Sequence, residues 1–269
     1  ETMHAYAASI FGPIKRGECV TTVWVPMAGR RMWNKFIIEN IDLFEKELPD
    51  YKKYLLVYVE PLDLTEESLA GYLRLMAKSF IEVCRNHPDC KKIPGIGTNF
   101  KIFDDENASY SKLLEELRLL LDKTIKGGFE VVFFLGEFDE LNFANSVFYN
   151  NLKSLWSKLA PKLHYVFLVR ERVTRAVNIA KWGELNEAIL QNIVYVPLGS
   201  EEDIEYWIGV FSERYSIKVA DNEKEIIKKL CGGHPYLLKV AVRVLAKYKQ
   251  EDIIKNFEEL LLGYYEIRV

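Results

Sequence analysis

The sequence predicts an α/β protein with a parallel β-sheet at its centre. Five short apolar runs, rich in Val, Phe and Tyr, are separated by segments with helical periodicity, and no strand-like run follows the fifth. Strands that are covered on both faces need such nearly continuous apolar runs, and a helix between successive strands is typical of a parallel sheet. The runs are CVTTVWV at 19–25, YLLVYVE at 54–60, EVVFFLG at 130–136, LHYVFLVR at 163–170 and NIVYVPLG at 192–199.

Composition places the chain among ordinary globular proteins. Its 269 residues are 49% hydrophobic and 28% charged, and the net charge of -3 gives no general attraction to nucleic acid or anionic lipid. Such binding would therefore need a local basic patch. The apolar runs are too short to span a bilayer, and the N-terminus lacks the pattern of a signal peptide. Four cysteines are too few for a disulfide framework, which fits a reducing compartment, so we expect a cytoplasmic protein. Cys84, His87 and Cys90 could be zinc ligands, but no fourth ligand follows at the normal spacing, so no bound metal is expected.

Two helices precede the third predicted strand. Asp63, followed three residues later by Glu66, predicts a capping box at the start of the first helix. The apolar residues of that helix are Leu69, Leu73, Met76 and Phe80. The second helix carries Leu113, Leu114, Leu117, Leu120, Leu121 and Ile125, and it is expected to end at the glycine pair 127–128.

The pattern changes after the fifth strand. Ser200 with Asp203 predicts a capped helix, and everything beyond it has helical spacing without a strand. We therefore predict an α/β domain over residues 1–199 and a helical domain over 200–269.

The helical part contains the stretch CGGHPYLL, residues 231–238. Gly232 suits the end of one helix, His234 can cap the next, and Pro235 suits a first helical turn. The stretch predicts a tight joint between two helices.

The stretch VWVPMAGRRMWNKF, residues 23–36, follows the first strand, where a phosphate-binding loop would lie. Such a loop supplies backbone N–H groups and a lysine to the phosphates, and a Ser or Thr hydroxyl to magnesium. Gly29 and Lys35 have the required spacing, but Asn34 stands at the second glycine and Phe36 at the hydroxyl. In a chain of this composition, about two glycines would by chance have a basic residue six places later. The spacing alone is therefore weak evidence for a phosphate loop, and the position directly after the first strand is the stronger evidence.

The third strand is a second place to look for nucleotide chemistry. A Walker B strand ends in an Asp that holds magnesium, and a Glu that can activate water commonly follows it. VVFFLGEFDEL has Glu137 but places Gly136 where the Asp belongs. Both usual magnesium ligands are thus missing, although they come from distant parts of the sequence. This double loss is consistent with a nucleotide domain that no longer binds magnesium. Glu137 and Asp139 lie close by in the sequence, which leaves a displaced metal site as the alternative.

These motifs, taken together, resemble the AAA+/STAND branch of P-loop ATPases. The resemblance rests on VPMAGRRMWNKF, VVFFLGEFDEL, YVFLVRERV, VPLGSEEDIEYWI and GGHPYLL in this order, and it covers about residues 5–262. It implies a five-stranded sheet in the order 5-1-4-3-2, a helical lid, and nucleotide held between them. A second alignment, one place earlier, matches Arg30 and Arg31 but puts Trp33, Asn34 and Lys35 at the Gly, Lys and Thr positions.

The resemblance also implies site residues. Arg30 and Arg31 could serve as phosphate counter-charges or simply form a solvated surface, and Arg170 is either a sensor or a strand-end charge. His234 is either a phosphate contact or a helix cap. Glu137 is the candidate catalytic residue, and the candidate nucleotide-binding residues are Gly29, Arg30, Arg31, Asn34, Lys35, Arg170 and His234.

Function follows from these losses. We expect a degenerate AAA+/STAND module with weak or absent nucleotide binding, which acts as a scaffold or switch through a protein partner or self-association. ATP is the expected cofactor if one binds, and magnesium is not expected. The alternatives are an active ATPase with a rearranged metal site, and a nucleic-acid-associated AAA+ protein, which the acidic average charge does not support.

Overall fold

The computed structural model describes residues 2–93, 95–96, 101–170, 173 and 176–247. It contains a five-stranded parallel sheet in the order β2-β3-β4-β1-β5. The strands are β1 Val20–Val23, β2 Tyr54–Val59, β3 Glu130–Leu135, β4 Leu163–Val169 and β5 Ile193–Tyr195. The predicted parallel α/β sheet and its order 5-1-4-3-2, read here from the opposite edge, are confirmed.

The register brings the carboxyl ends of four strands to one edge of the sheet. Val59 of β2 pairs with Leu135 of β3, and Val23 of β1 pairs with Val169 of β4. Every residue of β1 and β4 is buried, and apart from Thr21, Thr22 and His164 these residues are apolar, as strands covered on both faces require. The segments that follow β1 to β4 therefore start side by side, and they contain the predicted phosphate loop and Glu137.

Helices cover the sheet, and their apolar faces form the core with β2, β3 and β4. Leu73, Met76 and Phe80 of α3 are fully buried, as the helical spacing predicts. The helices of this part are α1 Thr2–Lys15, α2 Arg30–Glu39, α3 Leu69–Asn86, α4 Tyr110–Lys126, α5 Ser146–Leu159, α6 Ala176–Trp182 and α7 Asn186–Ile189.

The predicted start of α3 is wrong. The helix begins at Leu69, and the hydroxyl of Ser68 accepts the Gly71 N–H at 3.0 Å as its N-cap. Asp63 instead ends a short 3-10 helix that starts at Pro61. Between Asp63 and Ser68 the chain passes close to the first turn of α3. A Cβ on Gly71 would lie only 2.3 Å from the carbonyl oxygen of Glu66. A capping box at Asp63 cannot form in this arrangement.

The chain divides into two compact units. Among the described residues, the first contains 3–24 and 30–196, and the second contains Thr2, 25–29 and 197–247. The predicted extents 1–199 and 200–269 stay a prediction, because the structure describes the chain only to residue 247. Within the described ranges, every helix is too short or too polar to cross a membrane.

The second unit contains three helices among its described residues, α8 Glu201–Tyr215, α9 Asp221–Cys231 and α10 Pro235–Lys247. The predicted capping box is confirmed, since the Ser200 hydroxyl accepts the Asp203 N–H while Asp203 Oδ2 accepts the Ser200 N–H at 2.8 Å. The helices pack through apolar residues such as Ile208, Leu238 and Ala241.

Candidate nucleotide site

The loop after β1 is short and turned in on itself. It comprises residues 24–29, because β1 ends at 23 and α2 begins at 30. The N–H of Ala28 donates to the carbonyl oxygen of Val25 at 3.2 Å and closes a β-turn. Met27 and Gly29 have φ values of 62° and 86°, a left-handed backbone that glycine adopts easily and methionine does not. One amide that a phosphate loop could offer to a ligand is thus bonded within the loop.

The start of α2 fixes the register of this loop against the phosphate-loop motif. The second glycine and the lysine of that motif open a helix. Gly29 therefore takes the second glycine position, Arg30 the lysine position and Arg31 the hydroxyl position, while Trp24 replaces the first glycine. Both sequence alignments place the helix start too late, since Lys35 is already the sixth residue of α2. The spacing from Gly29 to Lys35 therefore does not coincide with the start of the helix.

An aromatic cluster surrounds Trp24, the first residue after β1. Trp24, Trp33 and Tyr6 make edge contacts with ring centroids 5.2 to 5.8 Å apart, and all three are buried. The Tyr6 hydroxyl donates to Asn34 Oδ1 at 2.9 Å, and Asn34 Nδ2 donates to the Arg30 carbonyl oxygen at 2.8 Å. Burial raises the pKa of Tyr6, so its hydroxyl remains a donor. Asn34 is a core residue here, with both polar ends of its side chain bonded within the protein.

Glu137 lies in the centre of an ionic cluster at the carboxyl edge of the sheet. Its Oε1 accepts from Arg30 Nη2 at 2.8 Å and from Arg170 Nη2 at 2.6 Å. The side chains of Glu137 and Arg30 are 13% and 11% exposed, whereas that of Arg170 is 40% exposed. We call Arg30, Glu137 and Arg170 the Glu137 cluster. It joins the start of α2 to the ends of β3 and β4.

Further acidic groups surround the exposed side of this cluster. The Arg170 N–H donates to Asp139 Oδ2 at 2.9 Å, and its Nη1 pairs with Glu140 Oε1 at 2.8 Å. Burial raises the pKa of Glu140, and the carboxylates of Glu137 and Asp139 add to this effect against the opposing charge of Arg170. Arg170 thus connects three neighbouring acidic side chains.

Glu60, at the carboxyl end of β2, is a charged residue that the sequence analysis missed. Its side chain is 4% exposed, and Oε2 lies 3.3 Å from Arg31 Nε. The Tyr58 hydroxyl donates to the same oxygen at 3.4 Å, and burial together with the nearby Glu60 carboxylate raises the pKa of Tyr58. Oε1 has no hydrogen-bond partner among the described residues. The final Glu of YLLVYVE was the available signal, because it ends a buried strand at the functional edge of the sheet.

His234 lies in the second unit and caps α10. The Leu237 N–H donates to His234 Nδ1 at 3.4 Å, so Nδ1 carries no proton. The other nitrogen, Nε2, is therefore the donor in its 2.9 Å hydrogen bond to the Pro26 carbonyl oxygen. His234 thereby connects the start of α10 to the loop after β1.

Several solved structures have a similar fold. The ORC2 protein of Aeropyrum pernix in its ADP form matches with a TM-score of 0.58 and 11% identity, over 89% of this chain and 60% of that one. A Walker-type ATPase of Pyrococcus abyssi matches with a TM-score of 0.56 and 15% identity, over 97% of this chain and 73% of that one. The ORC1 protein of Aeropyrum pernix in complex with DNA gives 0.50 and 12%, over 96% and 64%.

The chain has a fold similar to that of these ORC and Walker-type ATPase structures. Identities of 11 to 15% extend the likeness to the fold alone. This chain spans about three fifths of the length of the ORC2 protein. No protein-family profile matches the sequence, and no curated protein matches it either.

The AAA+-like fold brings some of the predicted site residues together. Arg30, Arg170 and Glu137 meet in the first unit, with Arg31 next to them in the chain. Lys35 lies over the ring of Tyr58, with its Nζ 5.8 Å from the ring centroid, and is not part of the Glu137 cluster. Gly29 and His234 belong to the second unit. Whether any of these residues binds nucleotide stays a prediction.

Phe36 and Gly136, the two positions predicted to lack a magnesium ligand, differ in their surroundings. Phe36 lies well inside α2, where it is 42% exposed and makes an edge contact with Phe44 at 6.4 Å. Gly136 directly follows β3, and its N–H donates to the Val59 carbonyl oxygen at 2.9 Å. A Cβ on Gly136 would lie 3.0 Å from that oxygen and 3.5 Å from Glu60 Oε1. An aspartate there would therefore be crowded and would face another carboxylate.

The aromatic cluster gives a testable expectation for stability. Tyr6→Phe removes the hydroxyl that donates to the buried Asn34 Oδ1, so the free energy of unfolding should fall by about 1.5 kcal/mol. Tyr206→Phe is the matched control, because Tyr206 is 65% exposed and should change stability by less than about 0.5 kcal/mol. Urea denaturation followed by tryptophan fluorescence measures both. Equal values for the two variants would contradict a stabilising Tyr6–Asn34 bond.

Proposed function

We propose that this chain is a degenerate AAA+/STAND-type module that binds nucleotide weakly or not at all and acts as a scaffold or switch. The observation that carries the proposal is the Glu137 cluster. Glu137 stands where an ATPase of this fold has its water-activating carboxylate, and its Oε1 accepts hydrogen bonds from two arginines. Because Oε1 already accepts these two hydrogen bonds, Oε2 alone could take a proton from water, which disfavours Glu137 as a general base.

The loop after β1 supports the same proposal. In the register set by α2, Trp24 stands at the first glycine, Arg30 at the lysine and Arg31 at the magnesium-binding hydroxyl. A tryptophan lacks the backbone freedom that glycine gives a phosphate loop, and the contacts with Tyr6 and Trp33 fix its buried side chain. These replacements favour weak phosphate binding at best.

ATP is the nucleotide to test, and magnesium is not expected to accompany it. The Aeropyrum ORC2 protein is described in an ADP form, which is a property of that protein. Here neither Arg31 nor Gly136 offers an oxygen to a metal, and the described residues contain no group of three or more His, Cys, Asp or Glu side chains that could hold one. The residues present do not fit a magnesium ion in its usual place.

Residues 200–269 are proposed to form a lid of the STAND kind, with GGHPYLL as its motif. We further propose a cytoplasmic location, which suits four buried and free cysteines. The partner in this proposal is a protein or a second copy of the chain. The ORC1 comparison structure contains DNA, but the net charge of -3 here does not favour a nucleic-acid partner.

Steady-state phosphate release from ATP, with magnesium and with manganese, tests the proposal. We expect no release above background from the wild type and no change in Glu137→Gln, because positioning and charge stabilisation of the phosphates are both lost. An ATP titration with and without magnesium should give weak or no binding, and equal curves in the two conditions. Turnover in the wild type that disappears in Glu137→Gln would instead identify an active ATPase with a rearranged metal site.

A further inference from the structure

Arg31 stands at one of the two positions where an ATPase of this fold keeps its magnesium ligands, and Glu60 lies beside the other. Those ligands are a hydroxyl in the first turn of the helix after β1 and a carboxylate that follows β3. Arg31 stands at the first position and Gly136 at the second. Glu60 follows β2, and the register of Val59 opposite Leu135 puts Glu60 beside Gly136.

We infer that the Arg31 guanidinium takes the place of the magnesium ion and that Glu60 replaces the missing Gly136 carboxylate. This inference rests on the proposed function. Arg31 Nε lies 3.3 Å from Glu60 Oε2, and its Nη2 lies 3.9 Å from Asp63 Oδ1. Glu60 Oε1 lies 3.5 Å from the point where the Cβ of an aspartate at position 136 would start. A fixed internal cation thus neutralises the carboxylate that the metal would otherwise bind.

Burial explains why the pair persists. The Glu60 side chain is 4% exposed, and a carboxylate with so little water around it needs a positive partner. Arg31 is 47% exposed, so its guanidinium approaches the carboxylate from the solvent side. Removal of that guanidinium leaves a buried carboxylate that faces an accessible space, with Asp63 at its edge. The wild type therefore contains a latent cation site that Arg31 occupies.

The test is to remove the guanidinium and offer a metal. Arg31→Thr also restores the hydroxyl at its motif position, and we expect millimolar Mn²⁺ to raise the melting temperature of this variant by about 4 °C when it exceeds the dissociation constant about tenfold. The wild type and Arg31→Lys should not respond, because each keeps a cation beside Glu60. The double variant Arg31→Thr, Glu60→Gln should not respond either, because the carboxylate is gone.

Differential scanning fluorimetry measures the melting temperature of all four proteins in MnCl₂ and, as the control for ionic strength, in choline chloride. A rise in Arg31→Thr alone supports the inference. No rise in that variant, an equal rise in the double variant, or a rise in the wild type would overturn it. If Arg31→Thr does not fold, Arg31→Gln keeps the aliphatic stem and takes its place. The measurement involves no ATP, so its failure leaves the turnover test of the proposed function unaffected.

Discussion

Glu137→Ala should lower the free energy of unfolding of the first unit by about 3 kcal/mol. The substitution removes the acceptor of two guanidinium groups and leaves the Arg30 guanidinium buried without its counter-charge. Arg30 is 11% exposed, and its Nη1 already has no hydrogen-bond partner among the described residues. Urea denaturation followed by circular dichroism measures the change.

Arg170→Ala is the matched control for this prediction. Arg170 contacts the same Glu137 oxygen, but its side chain is 40% exposed, so its loss should cost less than about 1 kcal/mol. A loss for Glu137→Ala no larger than that for Arg170→Ala would show that the buried half of the Glu137 cluster does not stabilise the fold.

A third variant separates ion pairing from backbone strain at the same position. Glu137 has φ 45° and ψ 37°, a left-handed conformation that costs a residue with a Cβ about 1 kcal/mol. Glu137→Gly removes both the carboxylate and that strain, so it should be less destabilising than Glu137→Ala by about that amount.

The sign of the Glu137→Ala effect also bears on function. Enzymes often give up stability at catalytic groups, and removal of such a group can then stabilise the protein. In the Glu137 cluster the carboxylate is already paired with two arginines in the folded state, so we expect its removal to destabilise the protein. A stabilised Glu137→Ala variant would therefore argue for an active site and against the proposed module.

The sheet was predictable because each strand carries its own signal. β3 and β4 are buried along almost their full length. Their apolar residues therefore favour a strand locally and also suit the buried position of that strand in the sheet. The strand order came from the resemblance of several motifs in sequence, and the structure confirms it. Glu137 could also be found, since it directly follows a buried strand and Gly136.

The loop register could not be read from spacing alone. Gly29 and Lys35 have the spacing of the motif. The loop, however, contains a turn between Val25 and Ala28, and α2 already begins at Arg30. Only backbone geometry reveals that turn, since a left-handed methionine is uncommon at its centre. The chance frequency of such spacings explains the error.

Long-range contacts account for the rest of what the sequence did not reveal. Tyr6 lies 28 residues from Asn34, and nothing in either segment indicates that they form a buried hydrogen bond. Arg30 meets Glu137 across 107 residues, and Arg170 meets it across 33. Pairing of this kind depends on the assembled sheet edge.

Gly233→Ala should lower the free energy of unfolding of the second unit by about 3 kcal/mol, because the joint between its helices has no room for a methyl group. A Cβ on Gly233 would lie 2.0 Å from the carbonyl oxygen of Gly199 and 2.4 Å from its nitrogen. The same two residues are joined by a hydrogen bond from the Gly199 N–H to the Gly233 carbonyl oxygen at 3.0 Å. Both sides of the contact are backbone, so neither can move aside without breaking that bond.

Gly209→Ala is the internal control, and the two substitutions should have opposite signs. Gly209 lies within α8 with nothing within 4 Å of its added Cβ, so alanine should stabilise the helix by about 0.5 to 1 kcal/mol. Urea denaturation followed by tryptophan fluorescence, to which Trp207 in the core of this unit contributes, measures both variants. A Gly233→Ala variant as stable as the wild type would mean that the close approach of Gly199 and Gly233 is not required. The glycine pair of GGHPYLL would then need an explanation other than packing, and a role in binding would be the first to test.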